Sequence, residues 1–486
     1  MRKKAAKQFV KLSPKVSSHK GYKYFVNYTE EDFGKVEETE EKQWKRIKKI
    51  IEHAYENVTF YREKFDEAGI KPEDIKDRED FRKIPITTKK ELRENFPDKL
   101  FAQNFREKEV RFTNTSGTTG RPTLLLQDKE DVNRKYAAKL RSREVYGTEI
   151  GDKVVRVTPN ECQPAKKEGG GIKTVPDHFK ELFRNPVNGF FAIAENFVKK
   201  FVHNKKVLEP IGVDSTKTFE KDVLERIEEI REEEPDILSI YPLYAYHLAK
   251  KIEEEELDPP KVGCIDFTGG LVTSEMKDLI EEAFQTKTFE SYGGCEFGRV
   301  GATCIENRDK LHINQLHAYL EFVKPCGEPA EEGELANILT TGLSSFGMPL
   351  VRVEHGDVGR YYYERCSCGR DTKMVKVEGR IQSILTTENG FEPPEKVYNF
   401  FLSCEGVDFF RLEQKEDEAV LRLVTNSEFD EEEVKEFVGE LLGQEVVVDQ
   451  VEKLDSENSN KYMMVYSEMH HSFRPEQARE HDSEVN

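Results

Sequence analysis

The stretch Thr113-Asn114-Thr115-Ser116-Gly117-Thr118-Thr119-Gly120-Arg121-Pro122-Thr123 places six Ser or Thr hydroxyls, two glycines and one basic residue in eleven positions. Glycine lets the backbone turn with its N–H groups inward, and the hydroxyls add donors, so such a loop can surround phosphate oxygens. The motif G-x-x-x-x-G-K-[ST] is absent from the chain, which argues against an ordinary P-loop NTPase. A polar surface turn is the alternative, but the length of the run and its Arg-Pro-Thr ending favour phosphate binding. The predicted phosphate ligands are Thr115, Ser116, Gly117, Thr118, Thr119, Gly120 and Arg121.

Composition limits the class of protein. The chain has 486 residues, of which 36% are hydrophobic, enough for one large core and a smaller domain. Its net charge of −19 argues against general nucleic-acid binding, and no run of about eighteen apolar residues could span a membrane. Eight cysteines at irregular positions, without a secretory signal, fit a reducing cytoplasm better than a disulfide framework.

Strands, glycine turns and helices alternate in the middle of the chain. A buried strand at 153–157 is followed, after a loop-rich region, by a helix at 219–234 and a strand at 237–242. The alternation continues to about residue 290 and predicts a large α/β domain with a mostly parallel sheet, whose ligands collect at the carboxyl ends of the strands. Beyond residue 400, two alternating strand-like runs, a helix and another strand predict a small α+β domain.

An aromatic residue and a carboxylate stand close together after one of these strands. Tyr292 and Glu296 are four residues apart around the turn Gly293-Gly294. A flat ring suits a nucleotide base, and a hard carboxylate suits Mg²⁺ carried by phosphates. A core aromatic and a helix N-terminal charge explain these residues equally well on their own. The phosphate loop upstream favours the nucleotide.

These segments together resemble the adenylate-forming superfamily of acyl-CoA synthetases, adenylation domains and luciferases. The phosphate loop is similar to its S-G-T-T-G-x-P signature, Tyr292 to Glu296 to its Y-G-x-x-E motif, and Arg352 to Asp357 to its R-x-x-x-G-D motif. Gly379-Arg380 begins a segment similar to its hinge motif. The resemblance implies the following roles: adenine contacts for Gly269, Gly270, Tyr292 and Gly293, Mg²⁺ for Glu296, the ribose hydroxyls for Asp357, the ribose or phosphate for Arg380, and a C-terminal catalytic lysine, Lys461. Catalysis would rest on Lys461, Glu296 and Arg121.

Several positions identify a branch or depart from the superfamily pattern. Thr123 replaces a common Lys and is usual in the phenylacetate-CoA ligase-like branch, whose N-terminal patterns N-V-P-F-Y-R and P-x-T-T-K-x-x-L-R resemble segments 57–62 and 85–93. Three other positions depart: Leu271 replaces an acid beside the glycine strip, Ser383 replaces the hinge acid, and Ser459-Asn460-Lys461 replaces S-G-K.

The resemblance implies a domain organisation and a reaction. The expected segments are a flexible basic tail (1–30), a large N-terminal domain (31–380), a small mobile C-terminal domain (381–471) and a disordered tail (472–486). An aryl or acyl carboxylate would attack the α-phosphate of MgATP, release pyrophosphate and pass from AMP to CoA. Transfer of AMP to a hydroxyl, as in the related coenzyme F-390 synthetases, and a degenerate nucleotide-binding module remain open, as does a homodimer.

A cysteine pair predicts a structural zinc site. Cys366-Ser367-Cys368 places two thiols one residue apart in a turn, where they can bind one metal but would form a strained disulfide. Cys304 and His312 are the best further ligands, because the superfamily fold would bring their segment close to the ribose motif. Ordinary buried or exposed thiols are the alternative.

Overall fold

The computed structural model describes residues 24–28, 36–105, 110–114, 123–157, 205–208, 216–454 and 464–475. The helices that follow the short helical segment 24–28 are Val36–Asn57 (α1), Thr59–Glu67 (α2), Arg78–Arg82 (α3), Lys89–Glu94 (α4), Lys129–Val145 (α5), Thr216–Glu233 (α6), Pro242–Glu254 (α7), Ser274–Phe284 (α8), Glu395–Ser403 (α9) and Glu431–Leu442 (α10). Single 3₁₀ turns occur at Pro72–Asp74, Ile381–Ser383 and Glu468–Phe473. None of these helices is long and apolar enough to cross a membrane.

The strands fall into one large and three smaller sheets. They are Thr87–Thr88 (β1), Val110–Asn114 (β2), Leu124–Asp128 (β3), Val154–Val157 (β4), Lys205–Leu208 (β5), Ile237–Ile240 (β6), Ile265–Thr268 (β7), Thr288–Gly294 (β8), Gly298–Cys304 (β9), Asn307–Ile313 (β10), Ala318–Val323 (β11), Ala336–Gly342 (β12), Val353–Tyr362 (β13), Met374–Arg380 (β14), Leu385–Thr387 (β15), Gly390–Glu392 (β16), Val407–Gln414 (β17), Glu418–Thr425 (β18), Glu445–Gln450 (β19) and Val465–Ser467 (β20).

The twelve-stranded sheet has a parallel and an antiparallel half. Its order is β11-β12-β13-β14-β10-β9-β8-β7-β6-β4-β5, and β1 pairs with β13. Strands β5, β4, β6, β7 and β8 pair in parallel, with buried apolar runs such as Ile237–Ile240, because helices cover both faces. From β8 to β14 the pairing is antiparallel. The predicted α/β fold is confirmed. The predicted parallel pairing holds for one half of the sheet, and the other half is antiparallel.

The N-terminal helices attach one further strand to this sheet. Thr88 caps α4, since its side chain accepts from Glu91 N and the Glu91 carboxylate accepts from Thr88 N. Thr87 and Thr88 pair in parallel with Val353 and Glu354 of β13. The first residue of α4, Lys89, therefore lies next to the following residues of β13.

A small unit follows the large sheet. The chain leaves β14 through the turn Ile381–Ser383 and enters a hairpin formed by β15 and β16. The rest of the unit is a four-stranded sheet ordered β19-β18-β17-β20, together with α9 and α10. Its apolar residues share one core with α6 and α7. Phe409 contacts the rings of Phe219 at 4.9 Å and His247 at 5.1 Å, and the Tyr246 hydroxyl donates to Leu402 O. The unit is therefore docked on the large sheet's helices through buried aromatic side chains.

Candidate active site

Strands β13 and β14 bring the predicted ribose and hinge motifs together. Asp357 and Arg380 are paired positions of these antiparallel strands, and Arg380 Nη1 lies 3.0 Å from Asp357 Oδ1. The Tyr292 hydroxyl, from the end of β8, donates to Asp357 Oδ2 at 3.0 Å. Three residues predicted from separate motifs to bind one nucleotide thus form a single cluster.

Sequence reasoning missed two further members of this cluster, His355 and Thr340. His355 Nδ1 lies 2.8 Å from Asp357 Oδ2, and Thr340 Oγ1 lies 2.7 Å from His355 Nε2. We assign the ring hydrogen to Nδ1, which then donates to the carboxylate, while Nε2 accepts from the threonine hydroxyl. His355 stood inside the quoted ribose motif, but no spacing in the sequence pointed to Thr340.

The charges around Asp357 fix its protonation state. Burial would raise the pKa of Asp357, but the Arg380 charge, followed by His355, outweighs it and holds the pKa well below its usual value. Burial, followed by the Asp357 charge, raises the pKa of the Tyr292 hydroxyl well above its usual value. An ionised carboxylate offers about four acceptor positions, and protein donors use three of them here. A ribose that occupies both oxygens must therefore displace one of these donors.

Lys89 adds a second cation to the cluster. Its Nζ donates to His355 O at 2.7 Å, and Arg380 Nη1 donates to the same carbonyl at 2.8 Å. Burial, followed by the charge of Arg380, lowers the pKa of Lys89. In the sequence, Lys89 stands out only as part of the branch pattern in segment 85–93. Its role in the site depends on the pairing of β1 with β13.

Glu296 lies beside this pair of cations without binding either. The side chain is half-buried and makes no hydrogen bond or ion pair within the part of the chain that the structure describes. Its negative charge raises the pKa of Arg380, after the larger effect of Asp357. An unengaged carboxylate next to a nucleotide-type cluster suits a magnesium ion.

The glycines predicted to contact adenine have local reasons for being glycine. Gly293 has a φ of 154°, and a Cβ there would lie 1.9 Å from Gly298 O across the β8–β9 hairpin. Gly269 and Gly270 follow β7 with φ of 70° and 74°. A Cβ on Gly270 would lie 2.7 Å from the Tyr241 ring. The Tyr241 ring therefore packs against Gly270, a contact that the sequence did not predict.

Several predicted residues lie outside the described ranges. They are Thr115, Ser116, Gly117, Thr118, Thr119, Gly120, Arg121 and Lys461, together with most of both predicted tails. The strands on either side of the phosphate loop, β2 and β3, pair with each other through Asn114 and Leu124. Gln127 of β3 and Lys135 of α5 donate to Cys295 O at 3.4 and 3.2 Å. This attaches the hairpin's second strand to the Tyr292–Glu296 turn.

The four predicted zinc ligands meet in the structure. Cys304, His312, Cys366 and Cys368 place their ligand atoms within 4.8 Å of one another. β10 lies between β9 and β14, which brings His312 beside Cys304 and beside the turn before β14. Cys304 Sγ lies 3.6 Å from Cys366 Sγ, and Cys368 Sγ lies 3.4 Å from His312 Nε2. Tetrahedral zinc with bonds of about 2.0 to 2.3 Å separates its ligand atoms by about 3.5 to 3.8 Å, so these residues fit the metal.

Known proteins support the resemblance stated above. No family model matches the chain. The phenylacetate-coenzyme A ligase of Thermus thermophilus is 29% identical over 424 residues, which cover 85% of each chain. That of Escherichia coli is 29% identical over 357 residues, covering 72% of this chain and 73% of the relative.

Solved structures with the same fold are CoA ligases. A 2-hydroxyisobutyryl-CoA ligase in the postadenylation state, in complex with R3-HIB-AMP, has a TM-score of 0.66 and 20% identity over 91% of this chain and 90% of that chain. The thioesterification state, in complex with 2-HIB-AMP and CoA, has a TM-score of 0.58 and 21% identity, covering 92% of each chain. The chain thus has the fold of the adenylate-forming CoA ligases and is a relative of the phenylacetate-CoA ligases, as its motifs predicted.

Proposed function

We propose that this protein is an ATP-dependent acid–thiol ligase that activates an aryl or acyl carboxylate as an acyl-adenylate and transfers the acyl group to CoA. The prediction of this enzyme class agrees with the four phenylacetate-CoA ligases that match the chain. The observation that carries the proposal is the ionised Asp357, held between Arg380 and Tyr292 beside Glu296, which has no partner among the described residues. That arrangement offers an acceptor for ribose, a ring for adenine and a carboxylate for Mg²⁺.

In the first step, an oxygen of the acid forms a bond to the α-phosphorus of ATP, and the bond from that phosphorus to the pyrophosphate oxygen breaks. Both reactants are negatively charged, so catalysis requires positioning and charge neutralisation more than proton transfer. Arg380 and Lys89, which share His355 O, would place two positive charges near the nucleotide. Arg121 and Lys461 would add charge on the phosphates and the acid. Mg²⁺, held by Glu296, would neutralise charge on the phosphate oxygens.

In the second step, the CoA sulfur forms a bond to the acyl carbon, and the bond from that carbon to the AMP oxygen breaks. One site can serve both steps if the small unit turns about the segment between β14 and β15. We propose the boundary 31–380 against 381–471 for this motion. At the turn, Ser383 Oγ accepts from Arg380 N at 3.2 Å and donates to Arg380 O at 2.7 Å. A serine thus anchors the turn where the superfamily usually has an acid.

Product analysis tests this function. Purified protein incubated with ATP, Mg²⁺, CoA and a panel of aryl and acyl acids should form an acyl-CoA and AMP in equal amounts, measured by mass spectrometry. Without CoA, the acyl-adenylate should accumulate. AMP attached to a hydroxyl compound would instead support the adenylyltransferase alternative, and ATP binding without any product would support a degenerate module.

We further propose that Cys304, His312, Cys366 and Cys368 hold one structural zinc ion. His312 Nδ1 lies 2.9 Å from Thr372 Oγ1, which orients the ring with Nε2 toward the three sulfurs. Burial lowers the pKa of His312 to about 3, so its imidazole is neutral, the form that binds metal. Four protein ligands leave no position for a substrate, so the ion would brace the connection between β13 and β14 rather than do chemistry.

A further inference from the structure

A cavity lies outside the Asp357 cluster. It has a volume of about 130 Å³ and is lined by residues of α3, β11 and the neighbouring ends of β13 and β14. Its charged and aromatic lining includes Arg78, Arg82, Tyr319, Tyr361, Tyr363 and Lys373. None of these residues belongs to the Asp357 cluster.

The lining carries more positive than negative charge. Arg352 also lines the cavity, but it is neutralised by Glu321, whose carboxylate accepts from Arg352 Nε at 3.1 and 3.2 Å. Arg78 reaches Glu40 only at 3.9 Å. The Arg82 and Lys373 side chains have no hydrogen bond or ion pair within the described part of the chain. Three cations therefore share one cavity, and among the described residues the carboxylate in ion-pair range of them is Glu40, 3.9 Å from Arg78.

Three glutamates lie near the cavity, and two of them already accept backbone hydrogen bonds. Glu332 accepts from Tyr363 N at 2.9 Å, and Glu334 accepts from Glu331 N at 2.7 Å. These three glutamates, from the turn before β12, raise the pKa of Tyr361 after the larger effect of burial, so they lie near its ring. None of them lines the cavity. They do not neutralise the cations inside it.

Holding these cations together is unfavourable in the absence of an anion. Arg78 and Arg82 are four residues apart on one helix and so project on the same side, where like charges repel. Burial, followed by the charge of Arg78, lowers the pKa of Lys373 to about 8. Aromatic rings nevertheless keep the cations in place. The Lys373 ammonium lies 4.8 Å from the Tyr361 ring and 5.0 Å from the Tyr363 ring, and the Arg78 guanidinium lies 5.3 Å from the Tyr319 ring.

We propose that this cavity binds a small, multiply charged oxyanion of the phosphate class, at a site separate from the nucleotide. The tyrosine rings of the cavity already contact the Lys373 and Arg78 cations. A ligand would therefore bind these cations through negatively charged oxygen atoms rather than through an aromatic ring. Guanidinium groups match phosphate oxygens in a bidentate geometry. The cavity, with a volume of about 130 Å³, has room for a small oxyanion such as phosphate.

Calorimetric titration of the full chain with inorganic phosphate tests this site, in a phosphate-free buffer without ATP or acid. The wild-type protein should bind phosphate, and Lys373→Met and Arg82→Gln should each weaken binding about tenfold or more. Lys310→Met is the matched control. Lys310 also lies over a tyrosine ring, at 4.1 Å from Tyr362, but it is neutralised by Glu364 at 2.6 Å and does not line the cavity. The Lys310→Met variant should bind phosphate with the same affinity as the wild type.

Several results would overturn the proposal. They are no phosphate binding to the wild-type protein, equal binding to Lys373→Met and Arg82→Gln, or acetate binding as tight as phosphate binding. Loss of binding in Asp357→Asn but not in Lys373→Met would place the anion in the nucleotide site instead. Arg82 has an exposed side chain, so Arg82→Gln keeps the test valid if Lys373→Met does not fold. The titration contains no substrate, so failure here and failure of the proposed ligase activity are distinguishable.

Discussion

The Tyr292 hydroxyl donates to Asp357 Oδ2 at 3.0 Å across 65 positions of sequence. Arg380, on the paired strand, places Nη1 3.0 Å from the other carboxylate oxygen, Oδ1 of Asp357. The predicted base-contacting residue thus fixes the predicted ribose ligand before any nucleotide arrives. The ordered carboxylate loses little conformational freedom when a nucleotide binds, although a ribose that takes both oxygens has to displace one of the three protein donors.

Asp357→Asn should weaken ATP binding by about ten- to a hundredfold, because hydrogen bonds to a charged group contribute about 1.5 to 3 kcal/mol. Tyr292→Phe keeps the ring and loses the bond to the carboxylate together with the 3.4 Å contact to His355 Nε2, so it should weaken binding by about fivefold. Calorimetric titration with ATP measures both. Asp417→Asn, in the exposed β17–β18 turn, is the control and should bind like the wild type. Unchanged ATP affinity in Asp357→Asn would contradict a ribose-binding role.

Lys89→Met should slow adenylate formation by about tenfold or more, because it removes a charge next to Arg380 and a donor to His355 O. Single-turnover measurement of adenylate formation at saturating ATP separates this effect from nucleotide binding. Lys83→Met is the matched control, since Lys83 is exposed and, among the described residues, its ammonium bonds only Asp80, at 2.7 Å. If both variants form adenylate at the same rate, Lys89 has no part in the chemistry.

Much of this site could be predicted from the sequence because its residues occur in short motifs. Tyr292, Asp357 and Arg380 were each predicted from a local pattern, and the structure brings them together. Thr340 and Lys89 could not be predicted, because each joins the site only through strand pairing with β13. The antiparallel half of the sheet was missed for a similar reason. Its strands follow one another without intervening helices, so no local sequence pattern indicates which strands pair.

Metal analysis of purified protein should find about one zinc ion per chain, because three thiols and one imidazole place their ligand atoms within 4.8 Å of one another. The Cys366→Ser, Cys368→Ser double variant should lose the ion and unfold at a lower temperature. Cys404→Ser, which lies outside the cluster, should keep it. Metal-free wild-type protein that is as stable as metal-loaded protein would remove zinc from the account.

His247→Phe should make the protein less sensitive to acid. Burial, followed by the charge of Lys250, lowers the pKa of His247 to about 3, against about 6.5 in the unfolded chain. The unfolded state therefore binds the proton first, and stability is lost as pH falls from about 6.5 towards 3. His247 Nε2 also has no hydrogen-bond partner among the described residues, which costs about 1 to 3 kcal/mol.

Calorimetric melting from about pH 7 to pH 4 measures this effect. Below pH 6.5 the wild type should lose about 1.4 kcal/mol per pH unit more than His247→Phe. His317 has a similarly lowered pKa of about 3 and is present in both proteins, so its contribution cancels. Parallel losses of stability in the two proteins would show that His247 is not buried at the docked interface.

Limited proteolysis should cut near residues 380–385, between β14 and β15, and cleavage there should change when ATP and acid are added. The proposed motion exposes this connection and undocks Phe409 from Phe219. Mass spectrometry of the fragments locates the cut. Cleavage elsewhere, unaffected by ATP and acid, would indicate a rigid two-unit body.

Carboxylate-dependent exchange of labelled pyrophosphate into ATP tests the central claim most directly, because it requires reversible adenylate formation but neither CoA nor release of product. The account predicts exchange with at least one aryl or acyl acid, none without acid, and strong reduction in Asp357→Asn and Lys461→Ala but not in Asp417→Asn. Exchange that is absent with every acid, or equal in Asp357→Asn and the wild type, would contradict it.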